Sequence, residues 1–271
     1  MNSSVTVCVV LEGSYPFITG GVSAWVHDLI INLPDISFIL YTISPRKDME
    51  LRYTLPENVK EHYDVVLSEA GTSRGSRPKM KELMPVIRRF HETLKEGVFP
   101  DLSAMLRHIP EGYYLYRDAV VEDTGWEMLR EANRKNNPLY PFADYFWAWK
   151  SAHDMMFTIL GSSIPRADIY HAVSTGFAGL AALAARIRTG RPLLLTEHGL
   201  YHKEREMEIR KSDLIRGYQR DMWIGIYNSL SRVCYSNADW ITALFEENRR
   251  KQLELGAPED KTEVIPNGID I

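Results

Sequence analysis

The chain has 271 residues, 45% hydrophobic and 25% charged, an ordinary globular composition that suits one large domain or two small ones. A formal net charge of −4 argues against a general nucleic-acid binder, which is usually basic. The two cysteines, Cys8 and Cys234, lack CxxC spacing and lie in apolar contexts, so they read as reduced core thiols of a cytosolic protein, and no stretch approaches a transmembrane helix.

The first apolar run, Val5 to Leu11 (VTVCVVL), has no basic segment before it and is stopped by Glu12. It reads as a strand covered on both faces rather than a signal peptide. Val22, Trp25, Val26, Leu29, Ile30 and Leu33 then form one helical stripe that Pro34 stops. Ile36 to Ile43 (ISFILYTI) is a second buried strand, which completes a βαβ unit with a right-handed crossover. Tyr63 to Leu67 is a short strand candidate, and Gly71 to Gly75 reads as an exposed loop. From Pro78 to about Leu160 the pattern is helical, interrupted at Pro100, Pro110 and Pro138, and reads as an insertion.

The alternation then returns. Ala167 to Val173 predicts a strand, Thr175 to Arg188 a small-residue helix packed closely on the sheet, and Pro192 to Thr196 another buried strand. Lys203 to Cys234 predicts one or two charged helices, Asp239 to Ala243 a strand and Leu244 to Leu255 a helix, with Gly256 at its C′ position. The chain closes on a strand and a Pro-Asn-Gly turn between Thr262 and Ile271. About seven strands alternating with helices predict an α/β, Rossmann-like, mostly parallel sheet with helices on both faces and a helical insertion. Ligands of such sheets bind outside the carboxyl ends of the strands, which selects the loops after Leu11, Val173 and Thr196.

In the first of these loops, Gly20 and Gly21 precede a helix. Two readings stand side by side: a turn that needs positive φ, or backbone amides left open to an anion at a helix N-terminus. Neither GxGxxG nor GxxxxGK[ST] is present, which disfavours a dinucleotide fold, with its oxidoreductase reading, and a P-loop. His171 ends its strand and reads as a hydrogen-bonded structural residue or a site residue; Ser174 or Thr175 is expected to cap the next helix. His198 lies on a loop outside a buried strand, where an imidazole can meet developing charge or carry a proton. Glu197 would orient it or face water. His202 lies four residues on, but the intervening residues do not give HExxH and no third ligand is evident, so no metal is expected. No GxSxG elbow supports Ser-His-Asp hydrolysis. Two basic stretches, Arg74 to Arg89 and Lys203 to Arg220, read as solvated helix faces, with docking on anionic phospholipid or a membrane partner as the alternative.

Taken in order, "EGSYPFITGGVSAWVHDLI", "DIYHAVSTGFAGLAA", "LLLTEHGLYHKERE", "ADWITALFEENRRKQLELGA" and "VIPNGID" resemble retaining GT-B glycosyltransferases of family 4, most of all the PelF-type branch of Pel exopolysaccharide synthesis. The resemblance spans nearly the whole chain. It implies a nucleotide-sugar donor, UDP-linked, a growing glycan as acceptor, no metal or other cofactor, and a cytoplasmic enzyme peripheral to the inner membrane face within a polysaccharide-synthase complex. It implies that His198 meets the transferred sugar as the catalytic residue. It puts Gly20, Gly21, Asn267 and Gly268 on the donor or phosphate side, and His171, Ser174 and Glu197 on the acceptor side. Residues 1–262 would be the acceptor-side domain, with the insertion at about 72–160, and 263–271 the crossover into a C-terminal donor domain. The family's Arg/Lys pair and E-x7-E element would lie in that second domain, beyond Ile271, so the chain alone is expected to have little activity. The alternative is a non-enzymatic, Rossmann-like module that binds a glycan or a membrane-complex partner.

Overall fold

A computed structural model describes residues 5–67, 77–95, 98, 101–115, 123–136, 141–213, 215 and 217–268. The expected loop at Gly71 to Gly75, with Arg74, and also Pro100, Pro138, Arg216 and the last three residues lie outside the described residues. The strands are β1 (Thr6–Glu12), β2 (Ser37–Ser44), β3 (Val59–Val66), β4 (Ile169–Ala172), β5 (Leu193–Glu197), β6 (Trp240–Ala243) and β7 (Thr262–Val264). They form one sheet in the order β3-β2-β1-β4-β5-β6-β7. Every neighbouring pair is parallel, so all carboxyl ends lie along one edge. This is a Rossmann-like α/β sheet. The helices are α1 (Gly21–Ile31), α2 (Met80–Lys95), α3 (Leu102–Leu106), α4 (Asp123–Asn136), α5 (Phe142–Gly161), α6 (Phe177–Thr189), α7 (Tyr201–Lys211), α8 (Tyr218–Asn237) and α9 (Glu246–Glu254).

The chain divides into two compact units: Met1–Glu69 with Ile164–Tyr201 and Ser231–Ile271, and Ala70–Ser163 with His202–Leu230. The first holds the sheet. Its β1 is apolar on both faces because Cys8, Val9, Val10 and Leu11 are each at most 1% exposed. Val7, Val9 and Leu11 pack with Phe38 and Leu40 of β2 and with Val26 and Ile30 of α1. Each such side chain contributes about 1.5–3 kcal/mol on burial. Helix α1 ends at Ile31, with Asn32 as its C-cap, two residues before the proline expected to stop it. The cysteines are free and buried, and burial pushes the Cys8 thiol up to about 12.

Strand β3 begins four residues before the expected Tyr63. It is the edge strand, so Lys60, Glu61 and His62 need no apolar alternation. At the other edge, β7 is only three residues long, and Ile265 to Gly268 continue as exposed coil. Gly256 follows α9 with φ 105, as its C′ position requires.

Six of the 13 residues of α6 are buried small ones: Ala178, Gly179, Ala181, Ala182, Ala184 and Ala185. A Cβ on Gly179 would stand 2.6 Å from Cys234 Sγ and 2.9 Å from the Ser174 carbonyl. Below the helix, Arg186 makes a two-pronged pair with Asp239, at 2.7 and 2.9 Å, and Asp239 also accepts from the Leu193 N–H. The Arg186 guanidinium holds the Asp239 carboxyl down to about 2.

The second unit contains α2 to α5. Helix α2 continues through Pro85, and Pro110 lies in a turn after α3. Helix α5 buries Tyr145, Trp149, Ala152, His153, Met156 and Phe157. His153 stacks on Trp149 at 3.9 Å and donates through Nδ1 to the Trp149 carbonyl at 2.8 Å. The basic residues of α7 are paired along their own helix: Lys203 and Arg210 with Glu206, Arg205 with Glu208. Among the described residues no helix is long and apolar enough to cross a membrane.

The close approach at Gly179 predicts that Gly179→Ala lowers stability by about 1–3 kcal/mol, because neither the sulfur nor the carbonyl can withdraw freely. Gly21→Ala, which meets open space in the first turn of α1, should leave the urea midpoint unchanged or slightly raised. Parallel urea titrations of the two variants check the contrast.

Candidate functional site

The sheet order places β1 beside both β2 and β4, and the connections run outward in opposite directions from there. The crevice at this reversal is where open α/β sheets take ligands. Three segments end at it: the loop after Glu12, the turn after Ala172, and the turn after Glu197.

The first loop turns back at Gly13, whose φ of 56 supplies the left-handed backbone. Gly20 has extended backbone (φ 168, ψ 175), which any residue adopts, and is the N-cap of α1 without a side-chain cap bond. Neither Gly20 nor Gly21 has the left-handed backbone that favours glycine, and a Cβ on either would meet nothing within 4 Å. The turn reading therefore fails for this pair: neither backbone angle nor packing within the chain demands these glycines. Both are exposed at a helix start whose first turn carries no acidic residue.

His171 and His198 come together around Trp25 of α1. The indole stands edge-on to His198 at 4.6 Å and 73°, and to His171 at 5.9 Å and 89°. His171 is buried, with Nε2 2.8 Å from Thr196 Oγ1, which in turn accepts from Thr242 Oγ1 at 2.8 Å. The chain His171–Thr196–Thr242 thus crosses β4, β5 and β6. Burial, with a smaller contribution from His198, pushes the His171 imidazole down to about 4. Burial also lowers the pKa of His198, so both rings are neutral at pH 7. His198 Nε2 is buried without a hydrogen-bond partner among the described residues.

Of the two readings of Glu197, the one in which it faces water is overturned: at 1% exposure it lies inside the sheet-bearing unit, with no hydrogen bond to His198 among the described residues. Its carboxylate accepts from Thr175 Oγ1, the Tyr201 N–H, the Tyr235 hydroxyl and Gln252 Nε2. Burial pushes its pKa up, opposed by those bonds. The expected capping by Ser174 or Thr175 is also corrected. Gly176 is the N-cap of α6 and makes no side-chain cap bond, while Thr175 turns inward to Glu197 and Ser231. The cap comes from Glu12, whose Oε2 accepts from the Phe177 N–H at 2.8 Å. Ser174 is half-buried beside this start. Asn267 and Gly268 are exposed past β7, three strands from β4, and the sheet does not bring them to Gly20 and Gly21.

Sequence reading missed Glu12, Trp25 and Tyr201. Glu12 was visible only as the charge that ends a buried strand, and Trp25 only as one apolar residue of the α1 stripe. A charge at a strand's carboxyl end and an aromatic one turn into the following helix were the available signals.

A model of one protein family, described as a domain of unknown function (DUF3492), matches residues 5–260. The chain belongs to this family. No curated protein matches it. Among solved structures, it is similar to a UDP-glucosyltransferase from Polygonum tinctorium capable of glucosylating indoxyl, in complex with 3,4-dichloroaniline: 11% identity, 98% of this chain and 53% of that chain covered, TM-score 0.42. It is also similar to a UDP-glucose: anthocyanidin 3-O-glucosyltransferase in complex with UDP, at 10% identity, 98% and 53% coverage, and TM-score 0.40. The chain thus spans about half the length of these structures.

The neutral, buried His171 predicts acid sensitivity. Its folded pKa, about 4, lies below the ordinary 6.5, so the unfolded chain binds the extra proton between those values. The contribution is fully present above pH 6.5 and is lost as pH falls toward 4, with a slope approaching about 1.4 kcal/mol per pH unit. His171→Gln should flatten the fall in unfolding midpoint over that window, measured by thermal melts at stepped pH.

Proposed function

We propose that the chain is the acceptor-side half of a retaining GT-B glycosyltransferase, which moves a hexosyl or N-acetylhexosaminyl unit from a UDP-linked donor to a growing glycan. The observation that carries the reading is His198: a neutral imidazole at the carboxyl edge, steadied by Trp25, with a buried nitrogen that nothing among the described residues satisfies. Such a ring can hydrogen-bond a sugar hydroxyl or meet charge developing at the reacting centre. The second support is the uncapped start of α1, where the open backbone at Gly20 and Gly21 suits a phosphate. The five ordered motifs support family 4 and an exopolysaccharide setting of the Pel type, with a synthase complex at the inner membrane face as partner.

In this reading His198 contacts the transferred sugar, Gly20 and Gly21 contact the diphosphate, and Ser174 lies on the acceptor side. His171 acts from behind, fixing the edge on which Trp25 and His198 rest. The transfer is assigned to this chain together with a donor-binding domain that supplies the remaining phosphate contacts, with Asn267 and Gly268 leading toward it. No metal or other cofactor enters the reading.

Calorimetry with UDP and UDP-sugars, on this chain and on a polypeptide extended by the donor domain, tests the division. Binding by the extended polypeptide alone is the expected result. Tight UDP binding by the 271 residues would overturn the division, and glycan binding without any nucleotide-sugar binding would move the reading to a non-enzymatic module. In the extended enzyme, His198→Ala should lower turnover by about 100-fold or more with the melting curve kept. Near-normal turnover would remove His198 from the role.

A further inference from the structure

We propose that Glu197 is a positioning residue that sets where His198 stands, acting through Tyr201 and, beyond it, Glu12. The proposal rests on the reading of His198 as the sugar-contacting residue, although its test does not.

The geometry is a closed loop. Glu197 Oε1 accepts from the Tyr201 N–H at 3.2 Å and from Thr175 Oγ1 at 2.9 Å. The side chain of residue 197 is therefore tied to the backbone of residue 201, and His198 is the first residue inside the tie. Glu197 Oε2 accepts from the Tyr235 hydroxyl and from Gln252 Nε2, the latter at 3.0 Å, which anchors the loop to α8 and α9. Its far end is anchored separately. The Tyr201 hydroxyl donates to Glu12 Oε1 at 2.8 Å. Its ring lies so close to Gly176 that a Cβ there would stand 2.1 Å from Cζ. Glu12 Oε2 holds the first N–H of α6, so the ends of β1, β4 and β5 are laced through one tyrosine between two carboxylates.

His198 has no comparable bond of its own at Nε2. Its ring is placed by the loop backbone and by the edge of Trp25. All four groups donate to Glu197, and the Tyr201 N–H can only donate, whereas the Thr175 and Tyr235 hydroxyls can also accept. Glutamine is nearly the same size but replaces one of the two acceptor oxygens by an NH2 group, so at least one of the four partners must reorient. Tyr201→Phe removes the single bond to Glu12 and keeps both the ring contact and the backbone tie.

The test is imidazole NMR on the histidine-labelled 271-residue chain, with His198 assigned by its loss in His198→Gln and the buried His153 of the helical unit as an internal control of folding. In Glu197→Gln, and to a lesser degree in Tyr201→Phe, the His198 resonances should move beyond their parent linewidth. The ring should also titrate at higher pH as it leaves its buried position, while His153 stays in place. Retention of the parent His198 shifts and titration in folded Glu197→Gln overturns the proposal. If that variant does not fold, the same retention in Glu197→Asp, which draws the acceptor back from the Tyr201 N–H, does so. Failure of the glycosyl-transfer reading would show instead as absent nucleotide-sugar binding by the extended polypeptide, with the NMR result unaffected.

Discussion

A carboxylate removed from water at a strand end costs several kcal/mol unless donors replace its hydration. Glu197 meets that demand with four donors drawn from the starts of α6 and α7 and from α8 and α9. The price is that these segments are no longer independent. Moving any of them leaves either a buried donor or a buried charge unpaired, and the penalty for that exceeds the net gain of an ordinary hydrogen bond. This constraint ties the carboxyl edge more specifically than the apolar core does, because apolar burial is non-directional and tolerates small shifts of the same helices.

The second carboxylate decides which helix start is left for a ligand. Two helices, α1 and α6, begin at the reversal of strand order. Glu12 already occupies the positive end of α6 by accepting from Phe177 N–H. Helix α1 has no side-chain cap and no acid in its first turn. Any anionic group entering the crevice is repelled from one helix start by Glu12 and finds the other unoccupied. Placing the acid on β1 and the glycines after it thus gives the crevice a polarity along the sheet edge.

The strands were legible because a parallel sheet buries both faces of its strands and leaves an unbroken apolar run, as in VTVCVVL or ISFILYTI. The edge strand β3 was read short because an edge does not impose that run. Gly20, Gly21, His171 and His198 were legible as edge residues because chain order and the strand-end rule suffice to place them. The partners were not. Glu12 and Phe177 are 165 residues apart, and Glu12 and Tyr201 189 apart, so no spacing signals either bond. Glu197 was misjudged for the same reason. A glutamate beside a loop histidine ordinarily faces water, and only the convergence of four distant donors makes burial the better state.

Among the described residues four histidines, His62, His153, His171 and His198, share a lowered pKa, and burial is the leading cause in each, so the shift does not distinguish function from structure. Their hydrogen bonds do. His62 has Nε2 3.0 Å from Thr42 Oγ1, His153 satisfies Nδ1 on the Trp149 carbonyl, and His171 satisfies Nε2 on Thr196. Each would lose that bond by moving to meet a ligand. His198 keeps a buried nitrogen unpaired, which a folded protein normally avoids at about 1–3 kcal/mol per group. A bound hydroxyl or phosphate oxygen that reorders the ring recovers part of that cost, so the deficit favours occupancy. The same deficit explains why His198 needs the loop tie and Trp25 to stay at the edge: with no bond of its own holding the ring, its place depends on the backbone beneath it.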